Sequence, residues 1–238
     1  MKRIVSLLLA FCAISLSCNK TVRVPVSYSV ETETGKDPQD VYMSVNGTKY
    51  VALTVKFLTG ASTDSVTLEV MGLPKGITVT PQKATGLPTY YYKYVYTTKD
   101  MPVGSYPVSI VATAPGTAPK TYNFNLIVRP NDCASFFMGG MTGSNACSAR
   151  NYTYNATGNA TGTTNLISIN NLGGYGLNTD VNVTLNCLTD SLYIPTQNIG
   201  NGVVMQGLGT FTTNQMIIYY TATAPGEATE TCTATLNR

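Results

Sequence analysis

Short runs in which apolar and polar residues alternate dominate the chain after residue 18. Val51, Leu53, Val55 and Phe57 place every second side chain of one run on the same face, and Gly, Pro, Asn and Asp separate such runs. Alternation with a period of two predicts β-strands with one buried face, because successive side chains of a strand point to opposite sides. Almost no helical pattern follows the first segment, so the sequence predicts an all-β protein.

The first residues have a different character. Two basic residues precede a mostly apolar run from residue 4 to residue 16, and the small Ser17 precedes Cys18. These features are typical of a secretory signal, and the run is too short for a membrane-spanning helix. The segment Ser15-Leu16-Ser17-Cys18 resembles a bacterial lipobox, although a Leu usually stands three positions before the Cys. The resemblance implies that residues 1–17 are removed and that a lipid on Cys18 contacts the membrane.

Charge divides the remaining chain into two parts. Residues 19–130 carry 11 basic and 7 acidic side chains, whereas residues 131–238 carry 2 basic and 5 acidic ones and no Lys. The change falls at Arg129-Pro130-Asn131-Asp132, a turn-rich joint. We therefore predict a signal peptide over 1–17, a first domain over 18–130 and a second domain over 131–238. The mature chain has nearly balanced charge and no basic stripe, so nucleic-acid binding is not expected.

The first domain is predicted to be an immunoglobulin-like (Ig-like) β-sandwich, a fold that needs seven or more short strands in about 100 residues. Strands are expected over 22–30, 41–45, 50–58, 65–70, 77–80, 90–97, 104–112 and 121–128. The motifs Leu73-Pro74-Lys75-Gly76-Ile77-Thr78-Val79 and Gly104-Ser105-Tyr106-Pro107-Val108 resemble segments of bacterial Ig-like domains. The resemblance implies a scaffold with a tyrosine corner, in which the Tyr106 hydroxyl bonds to nearby backbone.

The second domain is predicted to be a small antiparallel β-meander that curls toward a barrel. It is rich in Asn, Thr and Gly, and strands are expected over 151–156, 165–170, 181–185, 191–194, 203–206, 215–221 and 231–236. The segments 194–197, 204–209, 217–219 and 231–235 resemble the C-terminal module of uncharacterised envelope lipoproteins from Bacteroidota. This resemblance implies an outer-membrane lipoprotein but supplies no activity that could be carried over to this chain. The choice between a periplasmic and a surface orientation stays open.

Four cysteines besides Cys18 remain in the mature chain, namely Cys133, Cys147, Cys187 and Cys232. An even number in an exported protein predicts two disulfide bonds. Three pairings are open and spacing alone does not choose among them; we favour the local pair Cys133–Cys147 together with Cys187–Cys232. The sequence has no Cys-x-x-Cys motif and no His, so a zinc site is not expected.

Catalysis is the less favoured class of function. The absence of His excludes Ser-His-Asp and Cys-His arrangements and His-based metal sites. A carboxylate pair of the glycosidase kind remains, and Asp180 and Asp190 are its candidates. Each stands at a strand edge beside turn residues, which is more typical of a solvated loop acid. We therefore predict no enzyme activity, no cofactor and no bound metal.

The segment Tyr90-Tyr91-Tyr92-Lys93-Tyr94-Val95-Tyr96 is the strongest candidate for ligand binding. In a strand, Tyr90, Tyr92, Tyr94 and Tyr96 share one face, and flat rings with hydroxyls suit stacking on sugars or contact with a protein partner. Burial of this face in the sandwich core is the favoured alternative, because Lys93 makes the other face the solvent side. Tyr175, in a Gly-rich loop, is a further candidate for ligand contact.

These features predict a non-catalytic, lipid-anchored envelope protein that binds a glycan or a protein ligand. A structural or assembly subunit, in which exposed strand edges add to a partner's sheet, is the alternative. A carboxylate-dependent glycan hydrolase comes third, because it rests on Asp180 and Asp190 alone.

Overall fold

The computed structural model describes residues 23–148, 150–176 and 178–238. The predicted signal peptide and the predicted lipidation site at Cys18 lie outside the described residues. The described chain consists of β-strands, two short 3₁₀ turns and their connections. The predicted all-β class is confirmed.

Nine strands form two sheets in the first domain. They are β1 (Ser27–Thr32), β2 (Val41–Ser44), β3 (Thr48–Thr59), β4 (Val66–Met71), β5 (Ile77–Thr80), β6 (Lys83–Gly86), β7 (Tyr90–Thr98), β8 (Gly104–Thr113) and β9 (Lys120–Arg129). One sheet has the order β1-β3-β7-β5 and the other has the order β2-β9-β8-β4-β6. Neighbouring strands are antiparallel except β2 and β9, which are parallel. All eight predicted strands are present, and the sequence pattern missed β6.

Alternate side chains of the two sheets meet between them and form the sandwich core. Leu53 and Val55 on β3 and Leu68 and Val70 on β4 are fully buried, in agreement with their alternation.

The tyrosine corner is also present, because the hydroxyl of Tyr106 donates to the carbonyl O of Pro102 at 2.8 Å. The first domain is therefore the predicted kind of scaffold.

Eight further strands close into an antiparallel barrel. They are β10 (Gly139–Cys147), β11 (Asn151–Ala160), β12 (Leu166–Asn170), β13 (Asp180–Asn186), β14 (Ser191–Asn198), β15 (Val204–Phe211), β16 (Gln215–Thr223) and β17 (Glu230–Asn237). Each strand pairs with the next in sequence, and β17 returns to pair with β10. The predicted meander thus closes completely, and β10 is a strand that the sequence pattern missed.

Apolar side chains fill the barrel. Ile167, Ile169, Met205 and Ile218 are fully buried inside it. Phe137, from the 3₁₀ turn Ala134–Phe137, adds a buried ring at one end. A barrel of eight strands is just wide enough to be filled by its own side chains. The interior of the barrel is therefore a second hydrophobic core.

The barrel has a joint end, which contacts the sandwich, and an opposite far end. At the joint end, the guanidinium of Arg129 on β9 donates to Asp190, in the turn between β13 and β14, at 2.6 Å. β1 runs toward the barrel and ends at Thr32, which lines a groove together with the barrel turn at 186–189. The described chain therefore starts, at Arg23, at the end of the sandwich opposite the barrel.

The two disulfide bonds are Cys133–Cys187 and Cys147–Cys232. The favoured pairing of Cys133 with Cys147 is therefore wrong. Cys133 precedes β10 at the joint end and Cys147 ends β10 at the far end, so a whole strand with a rise of about 3.3 Å per residue holds them apart. Two disulfides indicate an oxidising compartment, as expected for an exported protein.

Candidate ligand-binding site

An aromatic groove lies on the outer face of the barrel across β14, β15 and β16. Tyr193, Leu208 and Tyr219 stand directly opposite one another in the register of these strands, and their exposed fractions are 57%, 63% and 53%. Exposed apolar side chains that are adjacent, unlike scattered ones, are typical of a binding surface. These three residues, with Gln206, Thr221 and Thr231 beside them, line what we call the β14–β16 groove, which has a volume of about 360 Å³.

Two glycines on β15 allow a close strand contact beneath the groove. A Cβ at Gly209 would lie 2.0 Å from the carbonyl O of Ile217 on β16. A Cβ at Gly207 would lie 2.7 Å from the carbonyl O of Tyr219. A larger residue at either position would push β15 away from β16, so the glycines keep together the two strands that carry Leu208 and Tyr219.

Uncharged polar side chains complete the groove. Gln206, Thr221 and Thr231 lie beside the tyrosines, and the described residues that line the groove include no acidic or basic side chain. The Oγ1 of Thr196 donates to the Oε1 of Gln206 at 2.6 Å, which leaves the amide NH₂ of this exposed residue as a donor for a ligand. Flat rings, hydroxyls and an amide suit a neutral ligand that is rich in hydroxyls.

The rest of the barrel's outer surface is polar. The outward residues of β11 are Asn151, Thr153, Asn155, Thr157 and Asn159, and Thr, Ser, Asn and one Asp dominate the outward positions of β10 and β13. The large apolar side chains that are exposed on the described barrel all lie on β14, β15 and β16. The groove is therefore a distinct feature of one side of the barrel.

The tyrosines of β7 that were predicted to bind a ligand face the sandwich core. Tyr94 and Tyr96 are fully buried, and Tyr90 and Tyr92 are half-buried against the same core. Burial raises the pKa of Tyr90 to about 12, and its hydroxyl donates to the carbonyl O of Val66 at 3.0 Å. The structure therefore contradicts a binding role for this face, because the face packs between the two sheets.

The opposite face of β7 meets solvent, as the sequence predicted. Tyr91 is 57% exposed, and the ammonium of Lys93 lies 4.1 Å from the centre of the Tyr50 ring on β3. Such a cation–π contact occupies one side of the ring. This sheet face therefore mixes charged and aromatic groups and offers a less continuous aromatic surface than the β14–β16 groove.

Tyr175 closes the far end of the barrel. It is half-buried against the barrel core, its ring centre lies 6.5 Å from that of Tyr220, and its hydroxyl is 3.5 Å from Oε2 of Glu230. Burial raises the pKa of Tyr175 to about 12. Its ring therefore packs on the barrel core, but it also lines a surface cavity of about 610 Å³, so its contact with a ligand stays a prediction.

A buried amide connects the other tyrosines at the far end. Nδ2 of Asn145 donates to the hydroxyls of Tyr152 and Tyr220 at 2.9 and 2.7 Å, and the hydroxyl of Tyr152 in turn donates to the carbonyl O of Gly173 at 2.6 Å. The hydroxyl of Tyr154 donates to Oδ1 of Asn145 at 3.4 Å. Both polar atoms of the amide are thus satisfied, so this cluster stabilises the barrel and leaves no group pointing to a ligand.

Asp180 and Asp190 do not form a carboxylate pair. Asp180 begins β13 at the far end and accepts a hydrogen bond from Asn170 at 3.1 Å. Asp190 lies beyond the other end of β13 and pairs with Arg129. The strand between them rises about 3.3 Å per residue over seven residues. This separation exceeds the roughly 5 to 10 Å that glycoside hydrolysis requires.

One group of potential metal ligands occurs in the described chain, and it consists of Cys147, Glu230 and Cys232. The two cysteines are bonded to each other. A disulfide offers no thiolate, which is the form of Cys that binds metals. The disulfide explains why the two sulfur atoms of this group are close together.

The sequence pattern did not reveal the β14–β16 groove. Tyr193 and Tyr219 are single aromatic residues in strands that are predicted separately, and only the register of the closed barrel aligns them. The one signal in the sequence is that each tyrosine interrupts an apolar strand at an outward position.

In the part of the chain that the structure describes, no helix is long and apolar enough to cross a membrane.

No family model and no curated protein match the chain. Among solved structures, the periplasmic chaperone SfaE is 12% identical, with a TM-score of 0.35, over 67% of this chain and 94% of that chain. A protein of unknown function from Porphyromonas gingivalis W83 is 13% identical, with a TM-score of 0.32, over 90% and 83%. Domains 4–9 of the surface layer protein SbsC are 10% identical, with a TM-score of 0.31, over 87% and 31%. At such low TM-scores these similarities carry no conclusion about function.

Proposed function

We propose that this protein is an exported, lipid-anchored, non-catalytic envelope protein that captures a neutral glycan in the β14–β16 groove. The observation that carries the proposal is the exposed row Tyr193–Leu208–Tyr219 on a barrel whose other outer faces are rich in Thr and Asn. Sugar rings present C–H groups that stack on aromatic rings, and their hydroxyls bond to amides and hydroxyls at the rim. The uncharged lining favours a neutral polymer over an anionic one.

The arrangement of the two domains supports capture at a distance from a membrane. Arg23 follows the predicted lipid site at Cys18 by five residues and forms an ion pair with the buried Asp64. This end of the sandwich is the one opposite the barrel, so a lipid on Cys18 would hold the sandwich near the membrane and the barrel farther out. The outer membrane of a member of the Bacteroidota is the location that we propose, and the two disulfides agree with export.

Addition of a strand to a partner's sheet, the basis of an assembly role, is less favoured by the geometry. The barrel is closed, and β2, β5 and β6 at the edges of the sandwich have four residues each. The side chain of Lys120 covers part of the free edge of β1, because its ammonium donates to the carbonyl O of Tyr28. Short or covered edges resist the addition of another strand.

Polysaccharide binding by the chain from residue 19 onward, without the predicted leader, tests the proposal. We expect saturable binding to a neutral glycan and an affinity about tenfold lower in Tyr219→Ala, because central aromatic residues carry much of the energy of a binding site. Tyrosine fluorescence can report binding, because the chain has no Trp.

Tyr91→Ala is the matched control for this experiment, because it removes a tyrosine of similar exposure from the sandwich. We expect this variant to bind as the native chain does. Binding that survives Tyr219→Ala would place the site elsewhere and contradict the proposal. Binding to no glycan, with cross-linking to an envelope protein in intact cells, would contradict it in favour of an assembly role.

A further inference from the structure

The β14–β16 groove also indicates the shape of its ligand. On the basis of the proposed function, we infer that the groove binds an interior segment of an extended, β-linked neutral polysaccharide. The chain would cross the three strands, with one sugar ring on Tyr193 and another on Tyr219. The inference rests on the spacing of these tyrosines, the chemistry of the surface between them and the residues beyond each of them.

The spacing of the two tyrosines sets the repeat of the ligand. Tyr193 on β14 and Tyr219 on β16 each stand opposite Leu208 on β15. Neighbouring strands lie about 4.8 Å apart, so the two tyrosine positions are about 10 Å apart. This distance is close to the length of a disaccharide in an extended glycan. An α-linked glucan coils, so its successive ring faces do not follow a straight line across the strands.

The surface between the tyrosines restricts the type of sugar. The hydroxyls of β-linked glucose are equatorial, so both faces of each ring expose C–H groups that can lie flat on a phenol ring or on Leu208. The hydroxyls then point along the surface toward Gln206, Thr221 and Thr231, which supply donors and acceptors. A carboxylated sugar would find no cation among the described residues that line the groove.

The row of residues is open at both ends. Beyond Tyr193 the register continues to Thr184 on β13, and beyond Tyr219 it continues to Thr233 on β17. Both threonines are small, so a polymer can extend past each tyrosine. An open row of this kind takes an interior segment of a chain and does not require a chain end.

A series of cello-oligosaccharides of increasing length tests the inference, with amylose-derived oligosaccharides of the same lengths and polygalacturonate for comparison. We expect affinity for the cello-oligosaccharides to rise until the ligand spans both tyrosines and then to level off. Reduction of the terminal sugar should have no effect on the longer ligands. The α-linked series should bind at least about tenfold more weakly, and polygalacturonate should not compete.

Variants of the two tyrosines separate the inference from the proposed function. Tyr193→Ala and Tyr219→Ala should each lower the affinity for long cello-oligosaccharides about tenfold, whereas Tyr91→Ala, on the sandwich, should not. Equal affinity for the α-linked and β-linked series, with loss in both alanine variants, would overturn the inference and leave the proposed function intact. Binding that requires an intact reducing end would also overturn the inference. An absence of binding to every glycan would overturn both.

Discussion

Cys147 and Cys232 lie directly opposite each other on β10 and β17, the first and last strands of the barrel, with their Cα atoms 4.0 Å apart. Their disulfide is a covalent link across the seam at which the barrel closes. The two residues are 85 positions apart in sequence. Closing a loop of this length restricts the unfolded chain more than closing a hairpin does, because the entropy of loop closure grows with the logarithm of loop length.

Removal of this link is expected to destabilise the barrel. The double variant Cys147→Ser with Cys232→Ser should have a free energy of unfolding lower by about 2–4 kcal/mol, because the unfolded chain regains conformational entropy. Urea denaturation followed by circular dichroism measures the difference. Equal denaturation midpoints for the variant and the native chain would show that strand pairing alone holds the seam.

The hydroxyls of Tyr94 and Tyr96 in the sandwich core are expected to lower the free energy of unfolding. Both are buried without a hydrogen-bond partner among the described residues. Tyr94→Phe and Tyr96→Phe should therefore each raise the free energy of unfolding by about 1 kcal/mol, because an unpaired buried hydroxyl is unfavourable. Tyr106→Phe is the control: it removes a bonded hydroxyl and should lower stability by about 1 kcal/mol. A loss of stability in both core variants would refute this account.

The stability of the chain is expected to fall in alkaline solution. Burial raises the pKa of Tyr90, Tyr154 and Tyr175 to about 12 each, whereas tyrosine in an unfolded chain has a pKa of about 10. Between these values the unfolded chain has released protons that the folded chain retains. The free energy of unfolding should therefore decrease as the pH rises from about 10 to about 12, and these groups should not affect it at lower pH.

Urea denaturation at a series of alkaline pH values measures this effect. The ultraviolet absorbance of tyrosinate, recorded in the same samples, should show the buried tyrosines ionising together with unfolding. A denaturation midpoint that stays constant across the interval would contradict the prediction.

Patterns within single strands could be read from the sequence. β5 was predicted with both of its bounds, and Lys93 correctly marked the solvent side of β7. β10 was missed because its inward residues are not a run of apolar side chains. At Gly143 a Cβ would lie 2.4 Å from the Tyr154 ring, so the partner strand fills that space, and the inward Asn145 is satisfied by tyrosine hydroxyls.

Relationships between strands could not be read in the same way. The preference for Cys133–Cys147 assumed that cysteines near in sequence are near in space, but these two lie at opposite ends of β10. Tyr193 and Tyr219 become neighbours of Leu208 only through the pairing of three strands. Register and closure are properties of the whole barrel, and local alternation does not determine them.

The close contact of β15 with β16 is expected to support both the barrel and the groove. In Gly209→Ala the new Cβ would meet the backbone carbonyl of Ile217 at 2.0 Å, and β15 would have to move away. We expect the free energy of unfolding to fall by about 1–3 kcal/mol, and glycan affinity to fall because Leu208 and Tyr219 would separate. Gly140→Ala on β10 is the matched control, because nothing lies within 4 Å of a Cβ at Gly140, and it should preserve both properties. Native stability and affinity in Gly209→Ala, measured by urea denaturation and glycan titration, would show that this strand contact does not position Leu208 and Tyr219 in the β14–β16 groove.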